Sequence, residues 1–228
     1  MTRGIVYFFF TYVTHSTQDH GKALSELHFG SVSFLVQSRY QIQGRGQRGR
    51  KWDSSPGNLF LTGCFSSSKK ILPGQLSILT GVFFAKILKQ FLPAQNIALK
   101  WPNDLLLNRK KCGGILIEID EYIYIGVGIN IASHPDNTPM PATHLQACDP
   151  VDTNALILKI IDTFPNLEEL GNFEKVRHQW WEFAKDSLSC WSLREPINGD
   201  ILGVDEQGQL LIKSKNGDLI KRHQTFSE

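Results

Sequence analysis

Apolar and polar positions alternate in short blocks along the first third of the chain. Gly4–Val13 is a run of strand formers and is predicted to be a buried strand. Ser16-Thr17-Gln18-Asp19 then offers side-chain oxygens suited to a helix N-cap, and Leu24 and Leu27 carry a short amphipathic helix. Over Ser31–Gln37, Val32, Phe34 and Val36 recur with period two, the mark of a strand. Asn58–Ser66 reads as the next strand. Pro73 and Gly74 open a helix through about Phe91, with Leu76, Leu79, Phe83 and Ile87 at helical spacing.

The middle of the chain turns to strand. Ile97–Trp101 is a short one, with Trp101 held extended by Pro102. Leu105–Leu107 ends in a turn at Asn108-Arg109. Ile115–Ile119 and Tyr122–Gly128 form a hairpin around Asp120-Glu121. Residues 132–152 are loop, rich in Pro, Asn, Asp and Thr, and helices fill 153–166 and 171–185. From about Leu188 the pattern shifts to short strands. Two of them lie within Gly199–Ile212, and Asn216-Gly217 is a two-residue hairpin signal. The expected architecture is an α/β (α+β) domain with a mixed sheet over residues 1–186, followed by a small β-barrel over 187–228. A β-hairpin extension of the main domain is the alternative for the last segment.

Composition narrows the class of protein. The 228 residues are 41% hydrophobic and carry a net charge of only +2, so nothing global draws the chain to nucleic acid or membrane. Cysteines at 64, 112, 148 and 190 have no metal-ligand spacing and read as free thiols of a reducing compartment. No stretch reaches the roughly 18 apolar residues of a membrane span, and no signal peptide is recognised, so a cytoplasmic location is expected. Seven histidines fall in no metal or triad spacing.

One segment departs from this ordinary background. Gly44-Arg45-Gly46-Gln47-Arg48-Gly49-Arg50-Lys51-Trp52 alternates three glycines with four cations and ends on a tryptophan. Neighbouring cations repel until an anion sits among them. The segment therefore reads as a mobile loop that orders around a carboxylate or phosphate, with backbone N–H groups and guanidinium forks as the grip. A solvated basic loop or a nucleic-acid patch is the competing reading.

Three more segments follow. They are Leu99-Lys100-Trp101-Pro102-Asn103-Asp104, then Lys111-Cys112-Gly113-Gly114-Ile115-Leu116-Ile117-Glu118, then Gly126-Val127-Gly128-Ile129-Asn130. In this order, the series resembles the catalytic domain of the biotin–protein ligase (biotin–[acetyl-CoA-carboxylase] ligase) family: a GRGR-x-GR-x-W loop, KWPND, K-x-GGIL-x-E and GxGIN. The resemblance is strong from about Ser16 to Ile131 and weaker beyond.

The resemblance implies a biotin ligase/aminoacyl-tRNA-synthetase-like catalytic domain with an SH3-like barrel after it, in the enzyme-only form without an N-terminal DNA-binding domain. It implies ATP-dependent formation of biotinyl-5′-AMP, with Mg2+ carried in on ATP, and transfer of biotin to a lysine of a biotin carboxyl carrier protein. Lys111 matches the catalytic lysine that contacts the biotin carboxylate and the α-phosphate. Arg45 matches the arginine near those groups, and Arg48 and Lys51 are expected to meet pyrophosphate oxygens. Ser16, Thr17, Gln18 and Gln41 match positions around biotin's ureido head. Gly44, Gly46, Gln47 and Gly114 border the ligand. Trp52, Asn103 and Asn130 fall on the nucleotide side. Asp104 is expected to orient, or take a proton from, the carrier lysine. No metal ligand set is expected, nor a nucleic-acid or membrane partner, and a sheet edge beside the loop leaves a homodimer open.

Two positions depart from the family pattern. Gln47 stands where an arginine is usual, which removes a cation from the loop, and Gln18 stands where asparagine is usual. Two rival functions remain at this stage. A lipoate- or octanoate-transferring relative of the same fold needs a long apolar tunnel. A non-enzymatic basic-loop nucleic-acid-binding module needs a broad basic surface.

Overall fold

The glycines of the two central strands decide which face of the sheet is open. The structure, a computed structural model, describes residues 7–27, 32–66, 72–164, 173–191 and 199–224. Seven strands form one sheet: β1 (Tyr7–Thr14), β2 (Phe34–Gln41), β3 (Leu59–Ser66), β4 (Ile97–Lys100), β5 (Asp104–Leu107), β6 (Lys110–Ile119) and β7 (Tyr122–Ile129). Their order is β1-β2-β3-β7-β6-β5-β4. The β1–β2 pair is parallel and the others are antiparallel, giving the mixed sheet expected.

Period two sends Leu61, Ile115, Ile117, Ile125 and Val127 to one face, where they join the main core. That core is completed by helix α2 (Pro73–Phe91), helix α3 (Thr153–Thr163) and helix α4 (Phe173–Ala184). Leu76, Leu79, Phe83 and Ile87 of α2 are all buried in it, as their spacing requires. The opposite face carries helix α1 (Thr17–Glu26), which packs on β2, β3 and β7 over a smaller cluster of Phe34, Val36, Cys64 and Tyr124. On this face β6 and β7 present Gly114, Gly126 and Gly128, with Gly114 opposite Gly128 and Leu116 opposite Gly126. A patch of sheet is thus left without side chains beside α1.

The C-terminal segment forms a three-stranded antiparallel sheet, β8 (Gly199–Val204), β9 (Leu210–Ser214) and β10 (Leu219–Arg222). Val204, Leu210 and Ile212 run into the main core. The β8–β9 turn is braced against α2 and the strand after it. Trp101 Nε1 donates to the Gly208 carbonyl at 3.0 Å, and Gln75 Nε2 donates to the Glu206 carbonyl at 2.8 Å.

Several expectations are corrected. The first strand is not buried: Tyr7, Phe8, Phe10, Tyr12 and Val13 are 41–69% exposed, because β1 lies at the sheet edge with only β2 beside it. The second strand starts at Phe34, three residues later than predicted, and runs on to Gln41. Trp101 lies in the core at 5% exposure, one of the two readings open for it in the sequence, and its peptide bond to Pro102 is cis. The outer parts of the predicted elements at residues 4–6, 31, 165–166 and 171–172 lie outside the described residues, as do 192–198 of the C-terminal segment. Among the described residues no helix is long and apolar enough to cross a membrane.

Candidate active site

The bare patch on β6 and β7 is the floor of a cavity of about 490 Å³, walled by α1, the basic loop and the 132–152 loop. Its inner end is polar. Ser16 caps α1, accepting from the Asp19 N–H at 3.0 Å. Thr17, the first residue of α1, donates both its N–H (2.8 Å) and its hydroxyl (3.2 Å) to Gln41 Oε1. Gln41 Nε2 donates to Ser54 Oγ at 3.1 Å, and the Thr62 hydroxyl donates to Thr17 Oγ1 at 2.9 Å. The side chains of this cluster are nearly all buried and hold one another in place. Gln18 lies across Gly126, reaching the Leu116 carbonyl at 3.4 Å, while its buried Oε1 has no hydrogen-bond partner. A buried orphan acceptor in a cavity wall awaits a donor.

The basic loop closes on itself. Gly46 N–H donates to the Arg50 carbonyl (2.7 Å) and Trp52 N–H to the Gly44 carbonyl (2.8 Å), with a bridge between Arg45 and Lys51. Gly44 is required by this turn. A Cβ there would meet Ser54 Oγ at 2.5 Å and the Trp52 carbonyl at 2.9 Å. Trp52 folds back onto the glycine patch, where a Cβ on Gly128 would lie 2.5–2.7 Å from its indole and one on Gly114 2.9 Å.

Arg45 points away from solvent into a pair of carboxylates. It forms a two-pronged bond with Glu118, and its Nη1 donates to Asp19 Oδ1 at 2.6 Å and to Ser16 Oγ at 2.9 Å. Burial alone would lower the guanidinium pKa, but Glu118 and Asp19 outweigh it and raise the value. Partial burial pushes Asp19 up, yet its bonds from Arg45 and Ser16 prevail and hold it below the usual carboxylate range. Arg48 is exposed, adopts φ 59° and does not line the cavity, whereas Arg50 and Lys51 do. Gln47 is buried at 8% exposure and lines it.

At the outer end of the floor, the Lys111 ammonium sits 5.5 Å from the Trp52 ring centroid and donates to Asp104 Oδ1 at 2.5 Å. The 132–152 loop pins the Lys111 backbone. Lys111 N–H donates to the Pro141 carbonyl (2.8 Å), and Thr143 N–H donates to the Lys111 carbonyl (2.9 Å). Asn130 Nδ2 ties the same loop through the Thr143 carbonyl at 3.1 Å, and Asn103 Nδ2 ties the Pro102–Asp104 turn to the Ile115 carbonyl at 2.7 Å. His134 and His144 close the loop with a hydrogen bond between their Nδ1 atoms at 2.7 Å. Cys64 and Cys112 are buried free thiols whose pKa values burial raises, Cys112 to about 12, which leaves them unreactive.

The structure thus gathers Ser16, Thr17, Gln18, Gln41, Arg45, Gly46, Gln47, Lys51, Trp52, Asn103, Asp104, Lys111, Gly114 and Asn130 around one cavity, and leaves Gly44 and Arg48 out of its wall. Sequence reasoning missed Lys100, Arg50, Met140 and the carboxylates that hold Arg45. Lys100 and Glu118 lay inside the quoted motifs, but only the fold reveals which neighbours they face.

Known proteins similar to this chain in sequence and fold are biotin–protein ligases. The chain is 28% identical over 214 residues to the biotin–[acetyl-CoA-carboxylase] ligase of Paracoccus denitrificans, covering 82% of this chain and 87% of that protein. It is 40% identical over 194 residues to the bifunctional ligase/repressor BirA of Escherichia coli, covering 77% of this chain and 60% of that longer protein. The fold superposes on biotin protein ligase of Leishmania major in complex with biotinyl-5-AMP with a TM-score of 0.71 at 26% identity, covering 96% of this chain and 98% of that one. Residues 10–130 match the sequence profile of the biotin/lipoate A/B protein ligases. The chain belongs to the biotin/lipoate A/B protein ligase family.

Proposed function

We propose that this chain is an ATP-dependent biotin–protein ligase. In the first step an oxygen of the biotin carboxylate attacks the α-phosphorus of ATP, the bond to pyrophosphate breaks, and biotinyl-5′-AMP forms. In the second, the amine of a carrier-protein lysine attacks the acyl carbon and AMP leaves.

The observation that carries the reading is the spacing of the cavity's chemistry. A fixed polar cluster lies at one end, an ammonium at the other, and a glycine floor runs between them under a tryptophan. A ligand with a hydrogen-bonding head, an apolar chain and a terminal carboxylate matches that sequence of surroundings. The ureido head would meet Ser16, Thr17 and Gln41, with the orphan Gln18 Oε1 accepting from one of its N–H groups. Lys111 would turn to the carboxylate and α-phosphate, where negative charge builds up. Arg50 and Lys51 would take pyrophosphate oxygens, with magnesium arriving on the nucleotide. Trp52 and Asn130 would border the nucleotide. Asp104, released from Lys111, would face the incoming lysine of the partner, a biotin carboxyl carrier protein. A dithiolane has no ureido donors for the polar end, so the cavity favours biotin over lipoate.

Incubation with biotin, ATP and magnesium, without carrier, tests this. Biotinyl-AMP and pyrophosphate are expected in equal amounts. Adenylation of lipoate or octanoate in place of biotin would overturn the assignment.

A further inference from the structure

Lys100 is the last residue of β4 and faces Asp104, the first of β5, across the Trp101–Asn103 turn. Its side chain is only 8% exposed, yet it lines the cavity. Its ammonium donates to Met140 Sδ at 3.3 Å and lies 3.9 Å from Asp104 Oδ2. The other oxygen of the same carboxylate holds Lys111. One carboxylate, 14% exposed, is therefore shared by two ammonium groups, closely by Lys111 and at longer range by Lys100.

The arrangement bears on how Lys111 becomes available. To meet an anionic substrate its ammonium must leave Asp104. Without another cation, that move would leave a poorly hydrated carboxylate unpaired beside an arriving anion, and a buried charge stripped of its partner is strongly unfavourable. The Lys100 ammonium already lies 3.9 Å from Asp104 Oδ2, within ion-pair range, so that carboxylate keeps a cation beside it when Lys111 turns away.

We propose that Lys100 is a positioning residue that serves as the reserve counter-ion of Asp104, freeing Lys111 for the phosphate. Lys100 acts through Asp104 and does not itself touch the substrate. The proposal rests on the reading that the cavity takes ATP. It also makes a demand that direct phosphate binding by Lys100 would not: once Asp104 is neutral, Lys100 is dispensable.

Four proteins decide it: the unaltered chain, Lys100→Met, Asp104→Asn and the double variant. Each is titrated with ATP and magnesium by calorimetry, assayed for single-turnover biotinyl-AMP formation without carrier protein, and melted. Lys100→Met should weaken ATP binding by about tenfold or more, and adding Asp104→Asn should restore most of the loss. A double variant as weak as Lys100→Met, or weaker, overturns the proposal, as does a Lys100→Met protein within about twofold of the unaltered chain. Should Lys100→Met fail to fold, the double variant must fold and bind ATP, and an unfolded double variant overturns it. An unaltered chain that binds ATP but adenylates no biotin would refute the biotin assignment, while the ATP titrations still decide the role of Lys100.

Discussion

Arg45 and Glu118, 73 residues apart, meet fork to fork: Nε donates to Oε1 at 3.2 Å and Nη2 to Oε2 at 3.1 Å. The bond fastens the base of the basic loop to the central strand β6. Glu118→Gln keeps the shape but loses the charge that makes the pair strong. It should cost roughly 1–3 kcal/mol of stability. Backbone amides of residues 44–52 should exchange hydrogen faster while those of α2 do not. Unchanged loop exchange would show that the fork does not hold the loop.

Asp19, the other carboxylate on Arg45, predicts the acid limb of stability. Its pKa in the folded protein lies below its unfolded value. The unfolded chain therefore takes up this proton first as pH falls, and the stabilisation present above the unfolded value is lost as pH drops through the folded one. From about pH 4 downward the melting temperature should fall less steeply in Asp19→Asn than in the unaltered chain.

His144 predicts a separate effect nearer neutrality. Burial, and then the neighbouring His134, lower its pKa in the folded state. As pH falls below about 6.5 the unfolded chain gains a proton that the folded one resists, so stability declines. The decline ends once pH passes below the lowered folded value. Melting curves between pH 7.5 and 5.5, taken as a range of about two units around the ordinary histidine value, should show a drop that His144→Asn reduces. An identical drop in both would place the sensitive group elsewhere.

Lys111→Ala should reduce biotinyl-AMP formation on the order of 10²–10³-fold, the scale for removing a preorganised charge stabiliser. The side chain is 25% exposed and pairs with Asp104, so the melting temperature should fall, but modestly, because Lys100 stays within 3.9 Å of that carboxylate. Near-normal adenylation would remove Lys111 from the chemistry.

Gln47 is buried against the cavity where relatives of this pattern usually have arginine. Gln47→Arg should slow escape of biotinyl-AMP by up to about tenfold, the worth of one charge-assisted hydrogen bond. Release at the same rate or faster would make Gln47 a neutral variation and assign retention to other groups.

Local signals were legible in the sequence where local physics decides. The apolar spacing and N-terminal proline of α2 gave its limits of Pro73 and Phe91, and the Asp120-Glu121 hairpin lies where alternation breaks. The basic loop was legible because cations among glycines have few structural uses, and Lys111 only through the resemblance of its K-x-GGIL-x-E segment. Long-range facts were not legible. The aromatic run of β1 reads as buried, yet an edge position leaves it exposed. Arg45 reads as a ligand cation, but its carboxylates come from α1 and β6, 26 and 73 residues away. Gly114 is expected to border a ligand, and in the folded chain Trp52 lies against it and against Gly128.

The hydrogen bond from Trp101 to Gly208 bears on the order in which the protein comes to life. Every residue lining the cavity, up to Ala142, leaves the ribosome before the turn that braces the Trp101–Asp104 segment. A nascent chain therefore assembles its reactive groups first and steadies them last. A nonsense mutation between Val204 and Gly208 would preserve all of those groups but remove this hydrogen bond together with the core side chains Leu210 and Ile212, so loss of function from such a lesion should trace to a slackened turn and a depleted core and not to any missing reactive side chain.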